Sequence, residues 1–255
     1  MKTISQLTLA LIFLVFSKNL TAQMNTYPSV GDAASVYSSM QMNNMQGLYM
    51  INSMQRTFSE QNNAHNAAVK PHINSTALSP NTLNINPNPT ITKLVREQII
   101  NNISKSAAEG VATKTDKMLG NIETTFAKMI NPYGLQANSY ADVMATYLVV
   151  MWMSVNKQTQ LPESTKVKAV AMQCKSILLA NNDFAKLSAR QKQWEAEIMM
   201  YQACFNVLIR QEAVRNSDTK MLSQLSASAA ASLAKQNLHL DKLSLTNKGF
   251  EEKKF

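Results

Sequence analysis

The stretch from Ser139 to Asn156 constrains this chain most. Its middle, Val143 to Val155, is almost wholly apolar and presents no wet face. A helix that is apolar all round is a buried helix. Thirteen residues are too few to cross a bilayer, which takes about 20. Ser139 can cap the start, with Asp142 three residues on in a capping-box-like spacing. The stretch therefore reads as the central helix of a helical domain, and the other apolar periodicities are expected to wrap it.

The N-terminus has the form of a secretory signal. Lys2 supplies the positive charge, Leu7 to Phe16 an apolar run, and Leu20-Thr21-Ala22 a small residue before a cut that would leave Gln23 first. No cysteine lies near that cut, so there is no thiol to carry a lipid. The expected domains are residues 1–22 as signal peptide, 23–89 as a low-complexity, mostly disordered segment, 90–240 as a helical domain and 241–255 as a flexible tail. The expected location is periplasmic or secreted, with no transmembrane span after cleavage.

Charge narrows the partner. The chain carries +9, and losing Lys2 and Lys18 with no acid takes this to +7. Arg56, Lys70, Asp32 and Glu60 cancel within residues 23–89, so the excess lies in residues 90–255. The basic residues are dispersed, in no run of five, which reads as a solvated surface rather than a polyanion site. Export also removes nucleic acid as a partner.

Residues 23–89 are rich in Asn, Ser, Met, Gln and Pro and poor in charge. Pro71, Pro80, Pro87 and Pro89 punctuate its second half, and Asn84–Pro89 suits neither regular helix nor central strand, while an apolar spacing near 3.6 residues over Ala33 to Gln61 suits a helix. Beyond residue 90, apolar spacings predict helices over Ile91–Ile103 and Val111–Ile130, the latter stopped by Asn131-Pro132-Tyr133-Gly134. The central helix follows. A fourth starts at Pro162 and carries Val167, Val170, Ala171, Cys174, Ile177 and Leu178. After a turn at Asn181-Asn182-Asp183, a long helix runs from about Ser188 to Arg215. Its expected stripe is Trp194, Ile198, Tyr201, Phe205 and Leu208. A last one spans Thr219 to about Asn237. No strand is predicted, and Lys248 to Phe255 reads as frayed. The fold class is all-α, a bundle of five or six helices behind a signal peptide and a largely disordered Asn/Met/Pro-rich segment.

Three sets of residues form a resemblance. Asp142-Val-Met-Ala145-Thr-Tyr147-Leu148 followed by Met151-Trp152 is one, Pro132-Tyr133-Gly134-Leu135 another. Arg190-Gln191, Glu195-Ala196-Glu197 and Tyr201-Gln202-Ala203 are the third. Together they resemble a family of uncharacterised exported bacterial proteins, grouped as a domain of unknown function, over about residues 90–220. The resemblance implies an exported helical domain and no particular activity.

Candidate chemistry is sparse. There is no HExxH, no GxSxG and no phosphate-cradling loop. His65 and His72 lie in the low-complexity segment, His239 near the frayed end. Asp142 reads as a first-turn acid serving the helix dipole. Glu195 reads as a surface carboxylate beside Arg190 and Lys192. Tyr147, Trp152, Trp194 and Tyr201 read as core. An oxidising compartment permits a disulfide between Cys174 and Cys204. An antiparallel hairpin of their helices, however, sets them roughly 13 Å apart along the axis, beyond the Cα separation a disulfide takes.

The methionines pose the sharper question. Met40, Met42 and Met45 form an M-x-M-x-x-M run, and thioethers suit Cu(I) or Ag(I). They equally suit an adaptable protein-binding surface. The leading expectation is a non-enzymatic exported protein that binds another envelope or extracellular protein and needs no cofactor. The alternative is a copper- or silver-binding envelope protein using the Met-rich segment.

Overall fold

The computed structural model describes residues 79–253. Residues 1–78, with the signal, the cut after Ala22, His65, His72, Met40, Met42 and Met45, lie outside them. Among the described residues the chain forms eight α-helices and one two-stranded antiparallel sheet. The helices are α1 (Pro89–Ser106), α2 (Val111–Leu119), α3 (Ile122–Ile130), α4 (Tyr140–Val155), α5 (Ser164–Leu179), α6 (Asn182–Lys186), α7 (Ala189–Arg215) and α8 (Thr219–Ala234). Strands β1 (Leu243–Thr246) and β2 (Gly249–Glu252) close the chain. No described helix is long and apolar enough to cross a membrane.

Helix α4 is the centre that the sequence predicts. Every residue from Val143 to Met151 is buried, and α5, α7 and α8 pack around it. The Ser139 hydroxyl caps it by accepting from the Asp142 N–H at 3.3 Å. The Asp142 carboxylate does not close a capping box. It reaches out to accept the Gln136 N–H at 2.9 Å and so ties the preceding loop to the helix. Inside the α4–α7 interface, Ser154 donates to Asn206 Oδ1 at 2.6 Å. Both are buried, so this polar pair selects one register between two otherwise greasy helices.

Several boundaries differ from the sequence reading. The predicted helix over Val111–Ile130 is two. Gly120 takes φ +51°, and Asn121 caps α3 by accepting the Thr124 N–H at 2.9 Å. An Asn side chain competes for backbone donors and restarts a helix in a new direction. Pro162 lies outside α5, which Glu163 precedes as its cap residue. The expected turn at Asn181 is a cap for the short helix α6, with Asn181 Oδ1 accepting from Asp183 and Phe184. These subdivisions explain why eight helices replace five or six.

Order also starts before residue 90. Pro80–Leu83 forms a turn of 3-10 helix, and Leu83 and Ile85 are buried at 4% and 5% exposure. The Ile85 N–H donates to the Asn138 carbonyl at 2.8 Å. Proline excludes helix but not an extended strap, and two apolar side chains suffice to anchor one. Residues 79–89, expected to belong to the disordered segment, are therefore ordered.

The expected flexible tail, 241–255, is a docked hairpin through Glu252. Leu243-Ser-Leu-Thr246 pairs with Gly249-Phe-Glu-Glu252 across Asn247-Lys248. Phe250 is 2% exposed. Gln173 of α5 acts as a stub of third strand, accepting the Phe250 N–H at 2.9 Å and donating to its carbonyl at 3.1 Å. Gly249, at φ +104°, passes so close that an added Cβ would sit 2.4 Å from Gln173 Oε1. Trp152 Nε1 donates to the Leu243 carbonyl at 2.8 Å. The alternating pattern is only four residues long, which is why periodicity did not reveal it.

Candidate functional site

Helix α1 starts at Pro89, whose missing N–H costs nothing in the first turn. Asn88 caps it through Oδ1 to the Thr90 N–H at 2.9 Å. After Gly110, at φ +80°, the chain turns back into α2 and then α3. These three helices leave an open cleft of about 610 Å³. Pro87, Pro89 and Ile100 supply apolar wall, while Thr92, Asn101 and Glu123 are among its polar lining. The size suits a ligand group or a short peptide segment.

The rim charges are paired. Arg96 grips Asp116 with two bonds, Nε to Oδ1 at 2.6 Å and Nη2 to Oδ2 at 2.7 Å. The bond to Asp116 raises the guanidinium further above its already high value. Lys93 sits 3.8 Å from Glu97 one turn along. Both pairs are largely solvent-exposed, so each adds about 1 kcal/mol at most.

Behind α1 stands α7, which is buried far more completely than the predicted stripe. Gln193 and Glu197 stand one turn apart facing α1, at 1% exposure each. Gln193 clasps the Asn88 backbone, accepting its N–H at 2.9 Å and donating to its carbonyl at 3.0 Å. Its amide also donates to Glu197 Oε1 at 2.7 Å and lies 3.2 Å from the Thr92 hydroxyl. Thr92 donates to Glu197 Oε1 at 2.7 Å and lies 3.5 Å from Glu123 Oε1. Glu197 Oε2 is buried and has no hydrogen-bond partner. Desolvation pushes the Glu197 carboxyl up, the bonds from Gln193 and Thr92 oppose it, and the nearby Glu123 charge adds to the rise.

A buried carboxylate with one unsatisfied oxygen works against stability. Because its folded pKa lies above the unfolded value, its stabilising contribution is complete below the ordinary carboxylate range. That contribution is lost as pH rises through the raised value. Glu197→Gln is therefore expected to raise stability by about 1 kcal/mol at pH 7. The gain should shrink to nothing near pH 4, where the wild-type group is protonated. Urea unfolding across that range measures it, and a variant less stable than wild type at pH 7 contradicts the assignment.

The residues singled out from sequence do not converge on this cleft. Asp142 closes the loop at α4, its carboxyl raised by burial. Glu195 is not the surface group expected: Tyr140 donates to its Oε2 at 2.7 Å, and burial raises its carboxyl as well. Lys192 turns away from Glu195, onto the Thr82 carbonyl at 3.0 Å and the Phe184 ring. Cys174 and Cys204 are free, buried thiols that desolvation pushes well above their usual range. Among the described residues, no three or more His, Cys, Asp or Glu group to hold a metal ion. Tyr147 and Tyr201 are core, as expected, while Trp152 and Trp194 are half-buried against it.

Sequence reasoning missed Thr92, Glu123, Gln193 and Glu197. The one available signal was the polar pair at i, i+4 on α7, immediately beside the apolar positions Trp194 and Ile198.

A family model described as Family of unknown function (DUF6683) matches residues 2–253, so the likeness is wider than the expected 90–220 and takes in the Met/Asn-rich segment. No curated protein and no solved structure matches the chain.

Proposed function

We propose that this chain, which belongs to the family of unknown function DUF6683, is an exported, non-enzymatic binding protein whose cleft between α1, α2 and α3 captures another protein of the envelope or extracellular space. The signal-like N-terminus supports export. The observation that carries the binding reading is the cleft itself. It is open and of ligand size, and two of its polar lining residues, Arg96 and Thr92, are already committed to Asp116 and Glu197. Such a surface recognises rather than reacts. The methionines of the Met/Asn-rich segment that begins at residue 23 suit adaptable additional contact.

A photo-crosslinking amino acid at Asn101, an exposed residue lining the cleft, tests the reading in the native host. Met172 is the control, since it is 73% exposed on α5 and outside the cleft. A discrete protein adduct in the exported fraction is expected from position 101 and not from position 172. No adduct from position 101, or the same adducts from both, overturns the reading.

A further inference from the structure

Helix α1 is fastened to α7 by a polar seam that holds more acceptor oxygens than protons to serve them. The Thr92 hydroxyl oxygen lies 2.7 Å from Glu197 Oε1 and 3.5 Å from Glu123 Oε1. A hydroxyl has one proton, so it serves one carboxyl and leaves the other. The Gln193 amide is shared between Asn88, Thr92 and the same Glu197 Oε1. Buried polar atoms are normally satisfied, but Glu197 Oε2 is closed off with nothing bonded to it. The charged and titratable groups around Glu197 do not answer it. On α1, Arg96 is engaged with Asp116 of α2, and Lys93 with Glu97. From α3 comes Glu123, a second carboxyl whose charge acts on the first. On α7 itself, Tyr201 one turn further is a phenol that burial keeps protonated. Glu195, two residues back and so on the other side of α7, meets Tyr140 of α4.

We infer that Thr92, Glu123 and Glu197 form an acid latch: a proton shared by the two carboxyls clamps α1 to α7, and its loss releases α1 while the rest of the helical core stays folded. The inference does not rest on what the cleft captures. With the proton in place one carboxyl is neutral, and burying it costs far less than burying a charge. Without it, two like charges face a single hydroxyl, and the one on Glu197 is shut away from water. The repulsion falls on α1 because Thr92 and the Asn88 backbone are its side of the seam. The α4–α7 interface is joined by apolar burial and by the neutral Ser154–Asn206 pair. Desolvation, with the Glu123 charge added, raises the Glu197 carboxyl against the bonds from Gln193 and Thr92. The clamp is therefore complete below the ordinary carboxylate range and is lost as pH rises through the raised value. Since α1 carries Thr92, Arg96 and Ile100 of the cleft, the order of that side of the cleft follows pH as well.

Amide exchange of the full chain, with no partner added, reads the latch directly. Protection factors, corrected for the intrinsic pH dependence of exchange, are compared at about pH 4.5 and about pH 8, on either side of the titration. In the wild type the Val95 and Ile99 amides of α1 are expected to lose about tenfold in protection at the higher pH, while Val170 and Ile177 of α5 keep theirs. Glu197→Gln, which cannot ionise, should hold α1 at full protection at both. Glu123→Gln removes the second charge and should show a smaller fall than the wild type. Burial raises Asp142 and Glu195 too, and both are intact in Glu197→Gln. A fall that persists in that variant therefore belongs to them and overturns the latch. Constant protection of α1 in the wild type overturns it as well, and so does a fall shared equally by α1 and α5, which marks loosening of the whole fold. A fall in Glu123→Gln as large as that of the wild type removes Glu123, and with it the shared proton.

Discussion

Phe250→Ala is expected to destabilise the protein by about 3–4 kcal/mol. Phe250 sits five residues before Phe255, where an unstructured tail would leave stability within about 0.5 kcal/mol of wild type. The ring is 2% exposed, and its centroid lies 6.4 Å from that of Trp152 on the central helix. Removing it leaves a hole against α4 and loosens the strand that Gln173 holds at both backbone groups. Lys253 would loosen with it, losing its bonds to Asn156 Oδ1 at 2.8 Å and the Asp241 carbonyl at 2.6 Å. Urea unfolding gives the cost, and amide exchange at Phe250 reports the hairpin directly. A change under half a kilocalorie, or an unprotected Phe250 amide in the wild type, would show that the hairpin is not docked.

The second large effect is expected at Phe184→Ala, again about 3–4 kcal/mol. Phe184 is fully buried although α6 is only five residues long. Its ring packs on Tyr140, with centroids 5.0 Å apart and planes tilted by 53°. The Lys192 ammonium lies 4.5 Å above it. The aromatic pair and the cation each add about 1 kcal/mol to the burial itself. The same lysine holds the strap through the Thr82 carbonyl. Loss of the ring should therefore also expose the Ile85 amide, which bonds to Asn138. Hydrogen exchange separates these effects. Lost stability with full protection at Ile85 would show that the strap is held independently of Phe184.

Both predictions test places where the chain is more ordered than its pattern suggested. Leu83 and Ile85 lie among four prolines and read as linker, because two apolar residues make no periodicity. Leu243, Leu245 and Phe250 were too few to register as strands. In each case the order comes from a partner distant in sequence: Asn138 and Lys192 for the strap, Gln173 and Trp152 for the hairpin. Arg210 follows the same logic. It is 5% exposed, burial lowers its guanidinium to about 10, and it donates to the Gln158 carbonyl in the loop after α4. Nothing in the local sequence marks it as anything but a surface arginine near a helix end.

The candidate site shows the same division. Glu197 was legible only as part of the Glu195-Ala196-Glu197 motif, and Gln193 not at all. Their meaning depends on α1 crossing α7 so that Thr92 and the Asn88 backbone meet them. Glu195, by contrast, was read as wet because Arg190 and Lys192 are its neighbours in sequence, and Tyr140, 55 residues away, proved to be its partner.

The sequence by itself determined the central helix with its Ser139 cap, the helical class, and the stop at Asn131-Pro132-Tyr133-Gly134. These follow from hydrophobic periodicity and local backbone chemistry, which act over one or two turns. Only the tertiary structure decided that the strap and the C-terminal hairpin belong to the fold, and that Glu197 is buried with an unanswered oxygen behind a cleft. Those outcomes depend on which surfaces meet after the helices pack, and burial, desolvation and long-range hydrogen bonding are properties of that meeting rather than of any short stretch of chain.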